Sequence, residues 1–398
     1  MLLVQKYLMS GKTLDDLQSE HGVKHHVTNG KVVLNYDQIE ARDSDPLSQQ
    51  CRGLVLRERD WSVVACPMFR FFNKEQEAIA AEIDWNTAQY EEKMDGSCII
   101  VYYDEDQYKW CCGTRGRCEA DADAHDAGMT FSQLVESAIN WMVARAGAFT
   151  FDKVTLSGFM EKGGADKNKT YVFELTSPLN RIVCKYDNFT LTLLAVRDNR
   201  SLKESDPRDH VGGFEFFGLK TPEIYEFNNV NHLIQVIRDW SPEDHEGIVV
   251  KDAQFNRIKV KNPAYVAFNH LNQSLSTSLR GCIEVILVGK DDDVIPMMPD
   301  FIANRIRKLK SAVQEVLART QKDFDELKDI DDMKTYALEA QKRLWPGALF
   351  ALKRGKTPDL KTFALGNKED VSKIPSTATN SMLALCRKID PDIAKLEI

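Results

Sequence analysis

The sequence predicts an α+β domain with antiparallel sheets over residues 1–265, followed by an all-helical domain over residues 266–398. Up to Lys261, short apolar runs alternate with turn residues. Asn29-Gly30 between two such runs is typical of a tight antiparallel hairpin. Beyond about residue 270 the strand patterns fade, and apolar residues recur every three or four positions, as on one face of a helix. A chain of 398 residues is long enough to bury two such cores.

The elements of the first domain follow in order. A helix is predicted to begin after Thr13 and to end at Gly22. The glycine-containing stretch 158–164 is predicted to be a loop, and the lysine and hydroxyl residue of a phosphate-binding P-loop do not follow it. The remaining elements are strand-rich 51–72, a hairpin over 98–110, a helix over 131–143, strands at 171–175 and 189–196, a helix over 230–240, and a strand pair at 248–251 and 257–261.

The helical domain is predicted to contain at least two amphipathic helices. One carries apolar residues from Ile302 to Val316, and a second extends from about Asp332 to Leu344 and stops at Pro346-Gly347. Basic residues cluster in both helices, which favours a solvated face and an RNA-binding surface about equally.

Composition narrows the class of protein. The net charge is −8, so any nucleic-acid site must be a local basic patch. The start of the chain has no long apolar run of the kind found in signal peptides, and no later run is long enough to cross a bilayer. Nine cysteines without a C-x-x-C pair favour reduced thiols. We therefore expect a cytoplasmic protein that does not bind membranes.

The sequence Lys93-Met94-Asp95-Gly96 at the mouth of a predicted strand carries the main chemical signal. A lysine beside a carboxylate in such a turn is what a covalent nucleotidyltransferase uses to attack the α-phosphate of a nucleotide. The motif is short, and its weight comes from the elements that accompany it in order: Cys51-Arg52-Gly53, Arg70-Phe71-Phe72-Asn73, Gly113-Thr114-Arg115-Gly116, Phe173-Glu174-Leu175, Glu246-Gly247-Ile248-Val249 and Ile258-Lys259-Val260-Lys261.

These residue types suit phosphoryl transfer, which depends on positioning and on neutralising charge. Alternation along a strand places Lys259 and Lys261 on one face, where both can meet a triphosphate. Arginines offer forked donors to phosphate oxygens, and carboxylates are the hard ligands that Mg²⁺ prefers. The predicted phosphate-binding arginines are Arg52, Arg70 and Arg115, and the predicted metal-site carboxylates are Asp95, Glu174 and Glu246.

A lysine nucleophile must be neutral to attack. We expect the nearby cations Lys259, Lys261 and Arg52 to lower the pKa of Lys93 while they hold phosphate.

Together these elements resemble the ATP-dependent RNA ligase 1 family of T-even-type bacteriophages, within the covalent nucleotidyltransferase superfamily. The resemblance extends over roughly residues 51 to 350. It includes two longer stretches, residues 180–197 and, in the helical domain, residues 334–341. It implies an antiparallel-sheet, ATP-grasp-like nucleotidyltransferase domain, followed by an all-α domain that determines RNA specificity.

The resemblance also implies a reaction in three steps. Lys93 takes AMP from ATP, AMP then passes to an RNA 5′-phosphate, and finally an RNA 3′-hydroxyl attacks and AMP leaves. The implied cofactors are ATP and Mg²⁺, with Mn²⁺ as an alternative metal. The implied partner is RNA with 3′-hydroxyl and 5′-phosphate ends, for which a nicked tRNA anticodon loop is a candidate, and the implied assembly is a monomer in the host-cell cytoplasm.

Site roles follow residue by residue from the same resemblance. Lys93 is the nucleophile, Asp95 orients the site and helps to hold metal, and Glu174 and Glu246 are metal-site carboxylates. Glu92 would contact adenine through its backbone, Gly96 belongs to the nucleotide-binding turn, and Asp292 is an additional metal candidate. The sequence departs from the phage pattern at Arg70 and Arg115, where that ligase has lysines. Arginine keeps the charge but changes the geometry, so we expect different contacts at these two positions.

Two alternatives remain open on the sequence. One is another covalent nucleotidyltransferase, either a DNA ligase or a GTP-dependent capping enzyme. The other is a non-catalytic RNA-binding protein with a ligase-like fold. A panel of nucleotides tests the first alternative, because a capping enzyme should accept GTP rather than ATP. Lys93→Ala tests the second, because a protein that only binds RNA would be unaffected.

Overall fold

A computed structural model describes the whole chain apart from residues 77–81, 125–127, 148–152, 270–277, 290, 296–297, 299, 367–375 and 397–398. The chain forms two compact units, Met1–Val266 and Ala267–Ile398. The first unit is built from antiparallel sheets and helices, and the described part of the second unit contains helices without strands. The α+β prediction with a helical C-terminal region is thus confirmed.

The N-terminal module packs short helices against a four-stranded antiparallel sheet of order β1-β2-β3-β4. Asn29 and Gly30 both have positive φ, 51° and 71°, as the predicted hairpin requires. Thr13 caps α2 through a bond from the Asp16 N–H, and Gly22 ends it in a left-handed conformation. The elements are α1 Leu3–Met9, α2 Leu14–His21, β1 Val23–Thr28, β2 Lys31–Tyr36, α3 Pro46–Gln50, β3 Arg52–Arg57 and β4 Val63–Ala65.

Two five-stranded sheets form the rest of the first unit. One has the order β11-β10-β9-β7-β8, and the other has the order β12-β6-β13-β14-β5, in which β14 and β5 are parallel and the other pairs antiparallel. Their elements are β5 Phe72–Asn73, β6 Gln89–Glu92, β7 Ser97–Asp104, β8 Lys109–Gly113, α4 Phe131–Arg145, α5 Leu156–Lys162, β9 Lys169–Thr176, β10 Thr190–Asp198, β11 Glu204–Ser205, β12 Ile224–Tyr225, α6 Val230–Arg238, β13 Gly247–Lys251 and β14 Arg257–Lys261.

The predicted loop at residues 158–164 was wrong, because most of it belongs to α5. Thr155 caps this helix by accepting a bond from the Gly158 N–H. Phe159 and Met160 are fully buried in the main core of the unit. Their burial outweighs the low helix propensity of Gly158.

The second unit contains α7 Leu279–Leu287, α8 Asp291–Val294, α9 Asp300–Leu327, α10 Met333–Ala340, α11 Pro346–Lys353, α12 Leu360–Ala364 and α13 Ser376–Ile389. The helix predicted over 332–344 is shorter than expected, and Pro346 begins the next helix rather than ending this one. Proline is tolerated in the first turn because its missing N–H has no partner there anyway. Within the described residues, no helix is both long and apolar enough to cross a membrane.

A buried ion pair connects the N-terminal sheet to the five-stranded sheet that contains β7. Lys31 of β2 donates to the Asp104 carboxylate of β7, and both side chains are 1% exposed. Around it, Val33 and Val55 pack with Ile100 and Tyr102 in one apolar cluster. The position of the N-terminal module therefore depends on a charge pair as well as on apolar contact.

Replacing Asp104 with asparagine should lower the free energy of unfolding by about 3–5 kcal/mol, because the Lys31 ammonium would lose its counter-charge while buried. Urea unfolding of the full chain measures this. The double variant Lys31→Met/Asp104→Leu is the control, and it should recover most of the loss. A cost below about 1 kcal/mol for the single variant would contradict this account.

Candidate active site

Lys93 emerges from the end of β6 at a point fixed by backbone contacts. Its N–H donates to the Gly247 carbonyl at 3.0 Å, at the start of β13. Gly247 has φ +148°, and a Cβ there would lie 2.3 Å from the Val260 carbonyl oxygen in β14. Glycine therefore lets β6, β13 and β14 close together beneath Lys93.

The Glu246 carboxylate lies between two lysines. Its Oε2 is 2.5 Å from the Lys93 Nζ, and its Oε1 is 2.9 Å from the Lys261 Nζ. The Glu246 side chain is 5% exposed, and that of Lys93 is 19% exposed. The carboxylate thus engages both cations in a region largely shielded from water, where ion pairs are strong.

The expected lowering of the Lys93 pKa is not found. Burial alone would lower it, but the Glu246, Glu174 and Asp95 carboxylates outweigh burial, and the pKa of Lys93 is raised. The motifs show which cations belong to the site, but they do not show how closely the carboxylates surround the Lys93 amine. In the nucleotide-free protein, Lys93 is therefore held as an ammonium.

Lys259 has the opposite balance. Its burial, followed by the charges of Lys93, Arg52 and Lys261, lowers the pKa of Lys259 to about 7. Its Nζ lies 5.0 Å from the Phe71 ring centroid. A second cation, the Arg52 guanidinium, lies 5.6 Å from the same ring. Two phosphate-binding candidates thus contact the same aromatic ring.

Asp95 faces into the protein. Its Oδ2 accepts the N–H groups of Val183 and Cys184 at 2.9 and 2.8 Å, and its Oδ1 accepts the Tyr265 hydroxyl at 2.6 Å. The Asp95 N–H donates to the Tyr186 hydroxyl oxygen at 3.0 Å. Burial raises the pKa of Asp95 despite these bonds, and the Glu246 charge adds to the effect. In this arrangement Asp95 holds the turn after Lys93 in place.

Gly96 and Glu174 form the other side of that turn. The Gly96 N–H donates to the Glu174 Oε1 at 3.1 Å. A Cβ on Gly96 would lie 2.3 Å from the Leu175 carbonyl oxygen, so only glycine lets the turn approach β9 so closely. Burial raises the pKa of Glu174 to about 7, although the Lys93 charge opposes the shift.

Arg52 has capacity for a ligand. Its Nη1 is buried and has no hydrogen-bond partner among the described residues. Arg115 lies nearby, because a Cβ on the intervening Gly53, at φ +82°, would be 3.0 Å from the Arg115 Cα. A buried guanidinium group with an unused donor is suited to a phosphate oxygen.

A small cavity of about 70 Å³ opens beside these groups. Its polar lining includes Arg52, Glu92, Lys93 and Glu174. The apolar lining consists of Met68, Phe71, Met94, Leu194, Pro222 and Val249. Apolar walls with a few convergent polar groups are typical of a small-molecule site.

Glu92 lies at the edge of this cavity, paired with His245. Its Oε1 is 3.3 Å from the His245 Nδ1. Burial raises the pKa of Glu92, although His245 opposes the shift. The Glu92 N–H donates to the Glu223 carbonyl at 2.8 Å, so the backbone here is held by its neighbours.

The structure gives Arg70 and Asp292 other partners. Arg70 donates to Asp43, and its guanidinium lies over the Tyr36 and Phe72 rings at 4.2 and 4.9 Å. It lines a different cavity from the one beside Lys93. Asp292 belongs to the second unit, where its exposed carboxylate pairs with Lys310 at 2.7 Å.

Three aromatic residues of the site escaped the sequence argument: Phe71, Tyr186 and Tyr265. Tyr265 follows Lys261 by four residues, and Phe71 lies within a motif that was valued for its arginine. A lone tyrosine carries no motif, so only the tertiary structure shows that two of them hold Asp95.

The carboxylates fit a partly hydrated metal better than a complete protein cage. Among the residues described, no three His, Cys, Asp or Glu side chains converge as a metal site. Glu174 and Glu246 both act electrostatically on Lys93, at the cavity where phosphates would lie. Mg²⁺ usually retains several waters and uses one or two carboxylates together with substrate phosphates, which suits this arrangement.

The region that contains the site matches a known family model. Residues 50–265 match the RNA ligase family, which is more than half of the chain. The chain belongs to the RNA ligase family.

Two relatives support this assignment. The chain is 29% identical over 314 residues to a putative bifunctional polynucleotide kinase/RNA ligase of Autographa californica nuclear polyhedrosis virus. That match covers 75% of this chain but only 42% of the relative. This chain is also 23% identical over 328 residues to an RNA ligase of Rhodothermus phage RM378. That match covers 69% of this chain and 71% of the phage ligase.

Solved RNA ligase structures show weaker similarity. An archaeal ATP-dependent RNA ligase matches with a TM-score of 0.41 and 13% identity, over 94% of this chain and 86% of that one. A Naegleria gruberi RNA ligase with PPi matches with a TM-score of 0.32 and 17% identity, over 46% of this chain and 51% of that one.

Lys259 should make phosphate binding depend on pH. With its pKa lowered to about 7 in the ligand-free protein, Lys259 loses its charge as the pH rises above 7. The affinity for an ATP analogue with a methylene bridge between the α- and β-phosphorus should therefore fall, by at most about tenfold per pH unit. Calorimetry from pH 6 to 9 measures this, with Lys259→Arg as the control, since arginine stays charged. Equal pH slopes for the two proteins would contradict the assignment.

Tyr265→Phe should destabilise the protein by about 1–3 kcal/mol at neutral pH, since the buried Asp95 carboxylate would lose a hydrogen bond to its charged form. The bond favours the ionised carboxylate, so the deficit should shrink as the pH falls through the folded-state pKa of Asp95. Urea unfolding at a series of pH values from 8 down to 4 tests this. The matched control is Tyr186→Phe, which removes a partner of the Asp95 backbone and should show a pH-independent cost. Identical pH dependence in both variants would refute the assignment.

Proposed function

We propose that this chain is an ATP-dependent RNA ligase that joins RNA 3′-hydroxyl and 5′-phosphate ends through an AMP-linked Lys93. The observation that carries the proposal is the contact between the Lys93 amine and the Glu246 carboxylate at the mouth of a cavity with an unused Arg52 donor. A nucleophile with an adjacent base and a phosphate-binding group is the arrangement that covalent nucleotidyl transfer needs.

The first step follows from that contact. The Lys93 ammonium passes a proton to the Glu246 carboxylate, 2.5 Å away, and the neutral amine attacks the α-phosphorus of ATP. A phosphorus–nitrogen bond forms, and the bond to pyrophosphate breaks. Arg52, Lys259 and Lys261 neutralise the charge that develops on the phosphates. Glu174 and Glu246 would hold Mg²⁺ or Mn²⁺ through its water shell, and the metal would neutralise phosphate charge and reduce the negative field on Lys93.

The next two steps use the same groups. An RNA 5′-phosphate oxygen attacks the phosphorus of AMP, the phosphorus–nitrogen bond breaks, and Lys93 leaves as an amine that takes back the proton from Glu246. The RNA 3′-hydroxyl then attacks the activated 5′-phosphate, its proton passes to solvent, and AMP leaves. In both steps charge develops on phosphate oxygens, and Arg52, Lys259 and Lys261 would neutralise it.

We assign Asp95 and Gly96 to positioning. Asp95 is held by three donors and fixes the turn, and Gly96 allows the turn to approach β9. Glu92 would form one wall of the nucleotide site through its backbone. Arg70 and Arg115 would assist phosphate binding, and Asp292 stays a metal candidate of the second unit.

We further propose that residues 1–265 form the adenylyltransferase domain and that the helical unit contributes RNA specificity in RNA repair, with a nicked tRNA anticodon loop as candidate substrate. Arg307, Arg319 and Lys322 of α9 are exposed, as RNA contacts require. Other basic residues of the unit are engaged, including Lys308 with Asp390 and Lys310 with Asp291. We also propose that the chain belongs to the T-even-type phage branch of RNA ligases. It would act as a monomer in the host-cell cytoplasm.

Incubation with ATP and Mg²⁺ should add the mass of one AMP to the protein, and GTP should not. Lys93→Ala should abolish the gain, because the amine that forms the bond is lost, and substitution of the exposed Lys153 should leave it unchanged. Intact-protein mass spectrometry measures this on samples first cleared of bound AMP with pyrophosphate.

Addition of single-stranded RNA with a 5′-phosphate and 3′-hydroxyl should then yield joined RNA. Absence of AMP on a folded protein would favour the RNA-binding alternative, and a gain with GTP alone would favour the capping alternative.

A further inference from the structure

A second cavity in the first unit is not explained by nucleotide binding. Its volume is about 700 Å³, against about 70 Å³ for the cavity beside Lys93, and the two cavities share Phe71 and Arg257 in their walls. It therefore continues from the place where Arg52 and Lys259 lie over the Phe71 ring. Whatever occupies it lies next to the phosphate-binding end of the nucleotide site.

The lining of this cavity is basic. Among its described lining residues, Arg70, Arg197, Lys203 and Arg257 are cationic, and Glu204 is the one acidic residue. Arg197 and Arg257 both contact Glu204, so its charge is already compensated within the protein. Arg70 is paired with Asp43 outside the lining. The uncompensated positive charge that a polyanion would meet therefore comes from Lys203 and from two arginines that share one carboxylate.

Two guanidinium groups of the lining keep unused donors. The Arg70 Nη1 and the Arg197 Nε are buried, and neither has a hydrogen-bond partner among the described residues. Arg197 is 9% exposed as a residue, so water cannot freely satisfy its donor. Unused guanidinium donors at a basic cavity are suited to phosphate oxygens.

Aromatic and apolar side chains are presented from two strained turns. Phe255, between β13 and β14, has φ +64°, and Leu202, between β10 and β11, has φ +60°. Both line the cavity. Bulky residues rarely adopt this conformation, and such strain persists where the position of a side chain matters. The Asp252 carboxylate holds the Phe255 turn by accepting the N–H groups of Gln254 and Asn256, each at 2.9 Å.

We propose that this cavity binds the RNA strand that carries the 5′-phosphate, with phosphates on its arginines and a base against Phe255. Cationic grooves lined with aromatic rings bind single strands by this combination of contacts. The 5′-phosphate strand fits best because its terminal phosphate must replace pyrophosphate at the AMP phosphorus. The cavity extends from Arg52 and Lys259, and these two cations would neutralise both the leaving pyrophosphate and the incoming 5′-phosphate. The inference rests on the proposed ligase function.

The test uses the full chain with Phe255→Asn and Lys203→Ala. Asparagine tolerates positive φ, so Phe255→Asn removes the ring without adding strain. Tyr108→Asn is the matched control, because Tyr108 is an exposed aromatic residue at φ +52° in the β7–β8 turn, outside the cavity lining. Fluorescence anisotropy with a 5′-phosphorylated 12-mer RNA gives affinity, and single-turnover mass spectrometry gives AMP on the protein and on the RNA.

We expect Phe255→Asn and Lys203→Ala to weaken RNA binding by about tenfold and to slow AMP transfer to RNA, while AMP addition to the protein stays unchanged. The Lys203 variant should also reduce the salt dependence of binding. Unchanged RNA affinity and transfer in both variants would overturn the proposal, as would an equal loss of AMP addition, which would assign the cavity to ATP. If the wild-type protein gains no AMP, the ligase function fails, and the affinity measurement still decides whether the cavity binds RNA.

Discussion

The rest of the site depends on the ion pairs that the buried Glu246 carboxylate forms with Lys93 and Lys261. Without it, three lysines and Arg52 would face one another in a region of low dielectric, where like charges repel strongly. Glu246 precedes Gly247, whose backbone both receives the Lys93 N–H and packs against β14. One short segment thus fixes the position of the amine, its protonation and the distance between the strands that carry the other cations.

The contact with Glu246 also bears on why Lys93, rather than Lys259, is assigned as the nucleophile. Lys93 is the residue that the motif marks as the nucleophile, yet its pKa is raised, whereas the pKa of Lys259 is lowered to about 7. Lys259 is therefore the lysine more readily neutral in the ligand-free protein. We propose that position decides between the two lysines. Lys93 contacts the Glu246 carboxylate, which can accept its proton, whereas Lys259 lies over the Phe71 ring, where we propose that it contacts phosphate. In the nucleotide-free protein the surrounding carboxylates therefore hold Lys93 as an unreactive ammonium.

Much of the fold was predictable, because local signals agree with the tertiary structure. The Asn29-Gly30 turn, the Thr13 cap and the alternation of Lys259 and Lys261 are short-range features that a sequence displays directly. The α5 helix was missed because burial of Phe159 and Met160 overrides a glycine. Pro346 was misinterpreted because proline marks the start of a helix as well as its end.

The residue types of the site were also predictable, but their electrostatics were not. Motif order indicates that Lys93, Glu174 and Glu246 belong to one site, and the structure brings them together. The sequence contains no distances, so it did not show that carboxylates rather than cations dominate at Lys93. It likewise did not show that Arg70 pairs with Asp43, since those residues are far apart in the chain and share no motif.

The most direct test of this account is to identify which lysine carries AMP. The protein would be incubated with ATP and Mg²⁺ and digested at neutral or alkaline pH, since phosphoramidates are labile in acid. Tandem mass spectrometry would then locate the modification. We expect AMP on Lys93 alone. AMP on Lys259 would show that the lowered pKa, and not the contact with Glu246, selects the nucleophile, and would contradict the assignment of Lys93.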